Sequence, residues 1–366
     1  MERKIRWGIL GAAGIARKNW SAIHASGNGV VAAVASRDAA RAASFVRACQ
    51  EECPFDETPR AVGGYDELLA GDDLDVIYVP LPTGLRREWV VRAAEKGKHV
   101  LCEKPCAPNV ADLRAMTEAC AANGVQFMEG VMFMHSKRLE ALARTVRDQE
   151  RLGAVRRITS AFSFAGNAEF LEGNIRLHSE LEPAGCLGDL GWYTIRIALV
   201  VMGYEMPETV RATMWKGAGR DDSPEQVPIE LSAELRFAGG VSASFYNSFR
   251  TGHEQWLRVA CAGGSVQIDD FVLPRYQDGS EGGTREALVT TELGLPEMGK
   301  ERIVTPVAET AGGSPTTQQA ALFRNFGELV RSGKPDPFWP AVAMQTQRVI
   351  DACLQSAREG GAVVVP

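Results

Sequence analysis

The sequence predicts a two-domain α/β protein, with an N-terminal Rossmann domain over residues 1–127 and a C-terminal α/β domain over residues 128–366. The first hundred residues alternate short apolar runs with helical stretches, a pattern typical of βαβ units in a parallel sheet. Beyond about residue 151 the strands become longer and alternate in polarity between paired glycines, which predicts an α+β domain with a large, mostly antiparallel, open-faced sheet. A chain of 366 residues also exceeds what one hydrophobic core usually fills.

The strands of the first domain are predicted from short apolar runs, because strands covered on both faces are apolar throughout. These runs are Ile5–Leu10, Val30–Ala35, Asp75–Val79, His99–Cys102 and Val125–Met128. The helix after the first run is expected to bury Ile15, Trp20 and Ile23. Asn109 and Gly124 are the start and stop signals of a later helix.

In the second domain, paired glycines predict two hairpins, which join the runs Ile229–Phe237 and Val241–Phe249, and Trp256–Cys261 and Ser265–Ile268. A helix is predicted over residues 137–151. Two late helices, over residues 317–331 and 342–358, are expected to cover one face of the sheet and leave the other face for substrate or a second subunit. Residues 278–300 show no periodicity and are expected to form a loop.

Composition excludes several classes of function. The net charge of -6 and the absence of a Lys/Arg-rich run argue against a nucleic-acid partner. The apolar stretch at the N-terminus is too short and too rich in glycine for a membrane span, and no secretion signal follows it. The eight cysteines include no CxxC pair, which predicts free thiols in a reducing cytoplasm. The five histidines show no metal-ligand spacing either, so no metal site is expected.

A turn of small residues directly follows the first strand and leads into a helix. Such a turn lets backbone N–H groups at a helix N-terminus approach a dinucleotide's pyrophosphate. Its members are Gly11, Ala12, Ala13, Gly14, Ile15 and Ala16. Ala13 stands where the G-x-G-x-x-G pattern has a second glycine, so the turn alone is equally consistent with a simple strand-to-helix connection.

The end of the second strand favours NADP over NAD as the cofactor. No acidic residue ends the strand to bind a ribose hydroxyl, whereas Ser36, Arg37 and Arg41 can surround a 2′-phosphate. In the alternative interpretation, both arginines are solvated surface charges and Asp38 faces the ribose.

Several motifs, taken in order, resemble the glucose–fructose oxidoreductase, inositol dehydrogenase and MocA (Gfo/Idh/MocA) family over nearly the whole chain. Besides the small-residue turn and the strand end at Ser36, they are Pro80-Leu81-Pro82-Thr83, Glu103-Lys104-Pro105 and Gly188-Asp189-Leu190-Gly191-Trp192-Tyr193. The resemblance is greatest to the branch of dimeric dihydrodiol dehydrogenase and NADP-dependent D-xylose dehydrogenase. It implies that the first two of these three motifs contact the cofactor and that Arg37 and Arg41 bind its phosphate.

The resemblance also implies catalytic roles for Lys104, Asp189 and Tyr193. Asp189 and Tyr193 are four residues apart, which would place them one helical turn apart on the same face. We expect Tyr193 to be the general acid/base, Lys104 to tune it, and Asp189 to orient the alcohol. In the alternative interpretation, Asp189 caps an apolar helix and Tyr193 is an aromatic at the edge of the core.

The predicted function is an NADP(H)-dependent oxidoreductase that acts on a sugar, polyol or cyclic diol, in a homodimer or larger assembly. The alternative is a redox sensor or scaffold of the same fold that binds NADP(H) without turnover. The family often has histidine where this chain has Arg86, which leaves the local cofactor or substrate contact open. The sequence specifies neither the substrate nor the carbon that reacts.

Overall fold

The computed structural model describes residues 3–274, 287–294, 299–307, 309 and 317–366. The chain divides into two compact units, Met1–His135 with Gly312–Met344, and Ser136–Ala311 with Gln345–Pro366. The first continuous stretch thus ends at residue 135 rather than 127, and the first unit takes back a late segment that we expected in the second domain.

The first unit contains a six-stranded, wholly parallel sheet in the order β3-β2-β1-β4-β5-β6. Its strands are β1 (Ile5–Leu10), β2 (Gly29–Ser36), β3 (Arg60–Gly63), β4 (Val76–Val79), β5 (His99–Cys102) and β6 (Phe127–Glu129). The five predicted strands are confirmed as one sheet. Sequence analysis missed β3, which has four residues and buries only Val62, so it lacks the apolar run used to recognise the others.

The second unit contains an eight-stranded sheet in the order β14-β13-β12-β11-β7-β10-β9-β8, in which only β7 and β10 pair in parallel. Its strands are β7 (Val155–Ser163), β8 (Thr209–Ala218), β9 (Val227–Arg236), β10 (Ser242–Ser248), β11 (Leu257–Cys261), β12 (Gly264–Ile268), β13 (Ala287–Gly294) and β14 (Lys300–Val307). The fold class and both hairpins are therefore confirmed.

The prediction of a loop over residues 278–300 is partly wrong. Residues 287–294 form β13, which pairs with β12 on one side and β14 on the other. Its sequence has little alternation, so the pairing with both neighbours, rather than local pattern, defines the strand. The other part of that prediction, residues 278–286 and 295–298, lies outside the described residues.

The helices connect these strands and flank the sheets. They are α1 (Gly14–Ser26), α2 (Ala39–Glu52), α3 (Tyr65–Leu69), α4 (Arg86–Glu95), α5 (Val110–Ala122), α6 (Lys137–Arg147), α7 (Gln149–Leu152), α8 (Ala168–Gly173), α9 (Trp192–Val201), α10 (Gln318–Ser332) and α11 (Phe338–Arg358). No helix in the described ranges is both long and apolar enough to cross a bilayer.

Helix α10 belongs to the core of the first unit, so the prediction that it covers the antiparallel sheet is wrong. It packs against α1, and Phe323 and Phe326 lie 5.1 and 5.5 Å from the ring of Trp7 on β1. Burying such rings stabilises the unit by a few kcal/mol each. Ile15 was also predicted to be buried, but it is 40% exposed at the start of α1.

Candidate active site

The turn between β1 and α1 leaves the N-terminus of the helix open to a ligand. Gly11 has a φ of 124°, and a Cβ there would lie 3.1 Å from Leu81 Cδ2, whereas a Cβ on Gly14 would meet nothing within 4 Å. The N-cap, Ala13, makes no side-chain capping bond, and Ala16 is buried against the sheet. Small residues therefore leave the first N–H groups of α1 open to an anion.

At the end of β2, a buried Ser36 is followed by two exposed arginines, Arg37 and Arg41. The Arg41 guanidinium donates to the carbonyl of Ala12 at 3.3 Å, which places it beside the small-residue turn. Asp38 is the N-cap of α2, where its Oδ1 accepts the N–H of Ala40 at 2.8 Å. The carboxylate thus has a local structural role, which weakens the alternative that Asp38 binds a ribose.

The two loops after β4 and β5 are tied together. Pro80, Leu81 and Thr83 are buried, and Thr83 Oγ1 donates to the carbonyl of Pro105 at 3.3 Å. Lys104 is half-buried in the second loop. Because both strands end at the same edge of a parallel sheet, the two predicted motifs lie side by side.

Arg86 forms a further link between these loops. Its side chain is 4% exposed and donates to backbone carbonyls, from Nε to Leu81 at 2.7 Å and from Nη1 to Glu103 at 2.6 Å. The same Nη1 also donates to the carbonyl of Pro105. Arg86 therefore supports the two loops from inside the protein.

Glu103 is buried in a hydrogen-bond network beneath Lys104. Its Oε1 accepts from Tyr78 Oη at 2.6 Å and from Asn19 Nδ2 at 3.2 Å, and its Oε2 accepts the backbone N–H of Lys104 at 3.3 Å. Burial, together with the nearby Glu103 carboxylate, raises the pKa of Tyr78 well above its ordinary value. Tyr78 is thus a neutral donor that fixes the carboxylate.

In the second unit, Asp189 pairs with Arg176, which is not among the predicted site residues. Arg176 Nε lies 2.7 Å from Asp189 Oδ2, and the Asp189 side chain is 13% exposed. The carboxylate of Asp189 is the main cause of a raised pKa of Arg176, to which Glu182 and Tyr193 also contribute. The guanidinium therefore lies within electrostatic range of both predicted catalytic side chains of this unit.

The local geometry around Asp189 differs from the prediction. Leu187–Gly191 form a π-helical turn, and α9 begins only at Trp192. The expectation of one regular α-helical turn between Asp189 and Tyr193 is therefore wrong, since a π turn has a wider repeat. The N-cap of α9 is Gly191, so Asp189 does not occupy the capping position of the alternative interpretation.

Tyr193 is 5% exposed and packs edge-on against Phe162 with ring centroids 5.5 Å apart. The neighbouring Thr194 Oγ1 donates to Asn247 Oδ1 at 3.2 Å, and Asn247 Nδ2 donates to the carbonyl of Phe162 at 3.3 Å. These contacts hold the start of α9 on β7 and β10 and fix the ring of Tyr193.

The residues of the first unit fit a dinucleotide phosphate: an open helix N-terminus, a glycine at positive φ and two exposed arginines share one edge of the sheet. In the part of the chain that the structure describes, no cluster of three or more His, Cys, Asp or Glu side chains is arranged to hold a metal ion.

Two family models match the chain. Residues 5–131 match the oxidoreductase family with an NAD-binding Rossmann fold, GFO_IDH_MocA, and residues 141–267 match the GFO/IDH/MocA C-terminal domain. Together they cover most of both units.

Curated proteins and a solved structure match over 73% to 98% of this chain. The D-xylose 1-dehydrogenase (NADP(+)) 2 of Haloferax volcanii is 32% identical, with 98% of each chain covered. The trans-1,2-dihydrobenzene-1,2-diol dehydrogenase of Sus scrofa is 29% identical over 73% of this chain and 74% of its own. A 3-ketoreductase from Actinomadura kijaniata, solved with NADP and TDP-benzene, is 26% identical with a TM-score of 0.79 and covers 97% of this chain and 98% of its own.

The structural roles of two arginines in the candidate site were not predicted from the sequence. Arg176 is not among the predicted site residues, because no local pattern links it to Asp189. The position of Arg86 was noticed as a departure from the family, but its three backbone acceptors come from segments that only the fold brings together.

Proposed function

The chain belongs to the Gfo/Idh/MocA oxidoreductase family, and from this premise we propose that it transfers a hydride between NADP(H) and a carbinol or carbonyl carbon of a sugar, polyol or cyclic diol. The predictions of an oxidoreductase and of NADP(H) as its cofactor are confirmed by the relatives. The observation that carries the proposal for this chain is Arg41 beside the open turn of α1, with Lys104 on the same sheet edge. No observation favours the sensor alternative.

For the cofactor, we propose that residues 11–16, 80–83 and 103–105 line its site and that Ser36, Arg37 and Arg41 receive the 2′-phosphate. The nicotinamide, when bound, accepts or supplies the hydride. An arginine suits the phosphate because it forms paired, charge-assisted hydrogen bonds.

For the chemistry, we propose that Tyr193 is the general acid/base and that Lys104 and Asp189 assist it. Oxidation of an alcohol breaks a C–H and an O–H bond: the hydride goes to the nicotinamide, the proton goes to Tyr193, and a carbonyl remains. An ammonium group favours phenolate and stabilises negative charge on the substrate oxygen. The Arg176–Asp189 pair supports an oriented, ionised carboxylate that can accept a substrate hydroxyl.

The proposal is tested by incubating the purified protein with NADP⁺ or NAD⁺ and a panel of aldoses, inositols and cyclic diols, while following NADPH or NADH absorbance. We expect turnover with at least one neutral polyhydroxy substrate and a preference for NADP⁺. Tight binding of NADPH without turnover on any substrate, in either direction, would support the sensor instead.

We further propose that two copies associate through the sheet of the second unit. The face that carries Thr159, Ser232 and Ser244 combines small polar side chains with charged ones, such as the ion pair of Arg157 with Glu234. It also carries Trp215, which is 62% exposed and donates to Ser232. An exposed tryptophan on an open sheet is typical of an interface. Light scattering should give a particle about twice the 39.6 kDa of the chain, and a monomer at micromolar concentration would contradict this.

We also propose that the protein works in a reducing compartment such as the cytoplasm. All eight cysteines are free thiols, and six of them are completely or almost completely buried without a disulfide partner: Cys49, Cys102, Cys106, Cys120, Cys186 and Cys353. Fractionation of cells that express the tagged chain would test this location.

A further inference from the structure

Arg86 is a buried cation whose described hydrogen bonds go to main-chain carbonyls. Two of its three acceptors, the carbonyls of Glu103 and Pro105, flank Lys104 directly in sequence. The third, that of Leu81, belongs to the adjacent loop. One guanidinium therefore binds the backbone on both sides of Lys104 and links it to the loop after β4.

Burying a charge costs free energy unless hydrogen bonds replace its hydration. Arg86 is 4% exposed, and carbonyl dipoles supply that replacement. A guanidinium presents its N–H groups in a rigid plane, so it can hold carbonyls from different segments at fixed relative positions. A lysine ammonium lacks this planar fork and would leave some of these carbonyls without a partner.

We propose that Arg86 is a positioning residue for Lys104. Resting on the proposed function, in which Lys104 acts during hydride transfer, the guanidinium fixes the backbone from which the Lys104 side chain extends. The carboxylate of Glu103 holds the same segment from below, because it accepts the N–H of Lys104. Arg86 therefore acts on the geometry of the catalytic loop through its backbone.

Lys98 offers a matched control in the same unit. It is also buried, and its Nζ donates to the carbonyl of Leu74 at 2.9 Å. Lys98 precedes β5, whereas Lys104 follows it, so the two lie towards opposite ends of one strand. Lys98→Met removes a buried cation and its backbone bond at a comparable cost in stability, but away from the catalytic loop.

The test is single-turnover hydride transfer with saturating cofactor, in which the amplitude reports the folded, active fraction and the rate constant reports the geometry. We expect Arg86→Lys to lower the rate constant by about tenfold to a hundredfold, since small displacements of a catalytic group have effects of this size. Lys98→Met should keep the wild-type rate constant. An Arg86→Lys protein that lost only amplitude, or kept a rate constant within about twofold of wild type, would overturn the proposal.

Hydrogen–deuterium exchange separates this proposal from the proposed function. Arg86→Lys should accelerate amide exchange in the peptide around residues 102–107, and Lys98→Met should not. Unchanged exchange there would also overturn the proposal, whether or not the wild-type protein turns over a substrate. Absence of wild-type turnover, by contrast, would contradict the proposed function alone. If Arg86→Lys does not fold, Arg86→Gln keeps one NH₂ donor group and is measured in the same way.

Discussion

The two units build their parts of the chemistry in different ways. In the first unit, main-chain groups and small residues at the ends of β1, β4 and β5 form much of the candidate site, to which two arginines and Lys104 add their side chains. Buried side chains such as Arg86 support the loops from inside the unit. In the second unit, the candidate groups are side chains on a π turn and a helix, held by an ion pair between Arg176 and Asp189. A site formed by loops at strand ends follows from the order of the strands. A site formed by side chains depends on contacts between residues that are distant in sequence.

This comparison implies that substitutions in the second unit should affect the chemical step, and those at the ends of β1 and β2 in the first unit should affect the cofactor. Lys104, after β5, is the exception, because we propose that it acts in the chemical step. The largest effect is expected from Tyr193→Phe, which keeps the ring packed on Phe162 but removes the proton. General acid/base catalysis contributes about 10²–10⁴-fold, so kcat should fall by that factor while the Kd for NADPH changes little. Lys104→Ala should be at least as damaging.

Steady-state kinetics with fluorescence titration of NADPH measures both quantities. Phe162→Leu serves as a packing control, because it disturbs the contact of the Tyr193 ring without removing the hydroxyl. Near-normal kcat in Tyr193→Phe would show that Tyr193 is not the general acid/base. It would also contradict the assignment of the chemical step to side chains of the second unit.

Arg37→Ala should weaken NADPH binding by at least tenfold and leave NADH binding almost unchanged. A charge-assisted bond to phosphate contributes about 1.5–3 kcal/mol, and each 1.4 kcal/mol is about tenfold in affinity. Arg47→Ala is the matched control, because Arg47 is an exposed arginine on helix α2, which begins two residues after Arg37. Equal losses for NADPH and NADH, or no loss for NADPH, would contradict the phosphate assignment.

Arg176→Gln should lower kcat/KM by about tenfold with little change in the Kd for NADPH. The ion pair to Asp189 is a charge-assisted bond, but the Arg176 side chain is 39% exposed, so solvent screening reduces its contribution. Arg220→Gln provides the control, since Arg220 forms a comparable pair with Asp222 on the surface of the same unit. Arg220→Gln should leave kcat/KM unchanged. If Arg176→Gln also left kcat/KM unchanged, the ion pair with Arg176 would not be needed for Asp189 to act.

Much of the first unit could be predicted from sequence, because each strand of its parallel sheet is a continuous apolar run and the ligand loops follow directly. The exceptions are instructive. Strand β3 buries one side chain and depends on β2, and α10 returns from the end of the chain to cover Trp7. Strand β3 has no apolar run, and the helical pattern of α10 does not indicate that it packs on Trp7, which lies near the other end of the chain.

The site was predicted less completely than the fold. The motifs led to Lys104, Asp189 and Tyr193, but they gave no indication of the π turn, which depends on how residues 187–191 pack on β10. A buried arginine bound to carbonyls, such as Arg86, cannot be distinguished in sequence from an exposed one. Positioning residues escape sequence analysis because their partners are main-chain atoms, which carry no sequence signature.

The smallest effect is expected from substitutions of Asp38. They test whether the end of β2 binds the phosphate of NADP(H) or a ribose hydroxyl of NAD(H). Its carboxylate caps α2 through the N–H of Ala40. Asp38→Ala should therefore lower the free energy of unfolding by about 1 kcal/mol, as Asn109→Ala should at the cap of α5, while the preference for NADP(H) stays.

Asp38→Asn keeps a good capping residue and removes only the negative charge. Its stability should match wild type, and its affinity for NADPH should rise about twofold, because a carboxylate beside Arg37 repels the phosphate weakly through solvent. Urea unfolding and titrations with NADPH and NADH measure these effects. If Asp38 instead bound a ribose hydroxyl, both variants would lose affinity for NADH by a larger factor than Asn109→Ala does, and the strand end would then be a site for NAD rather than for its phosphorylated form.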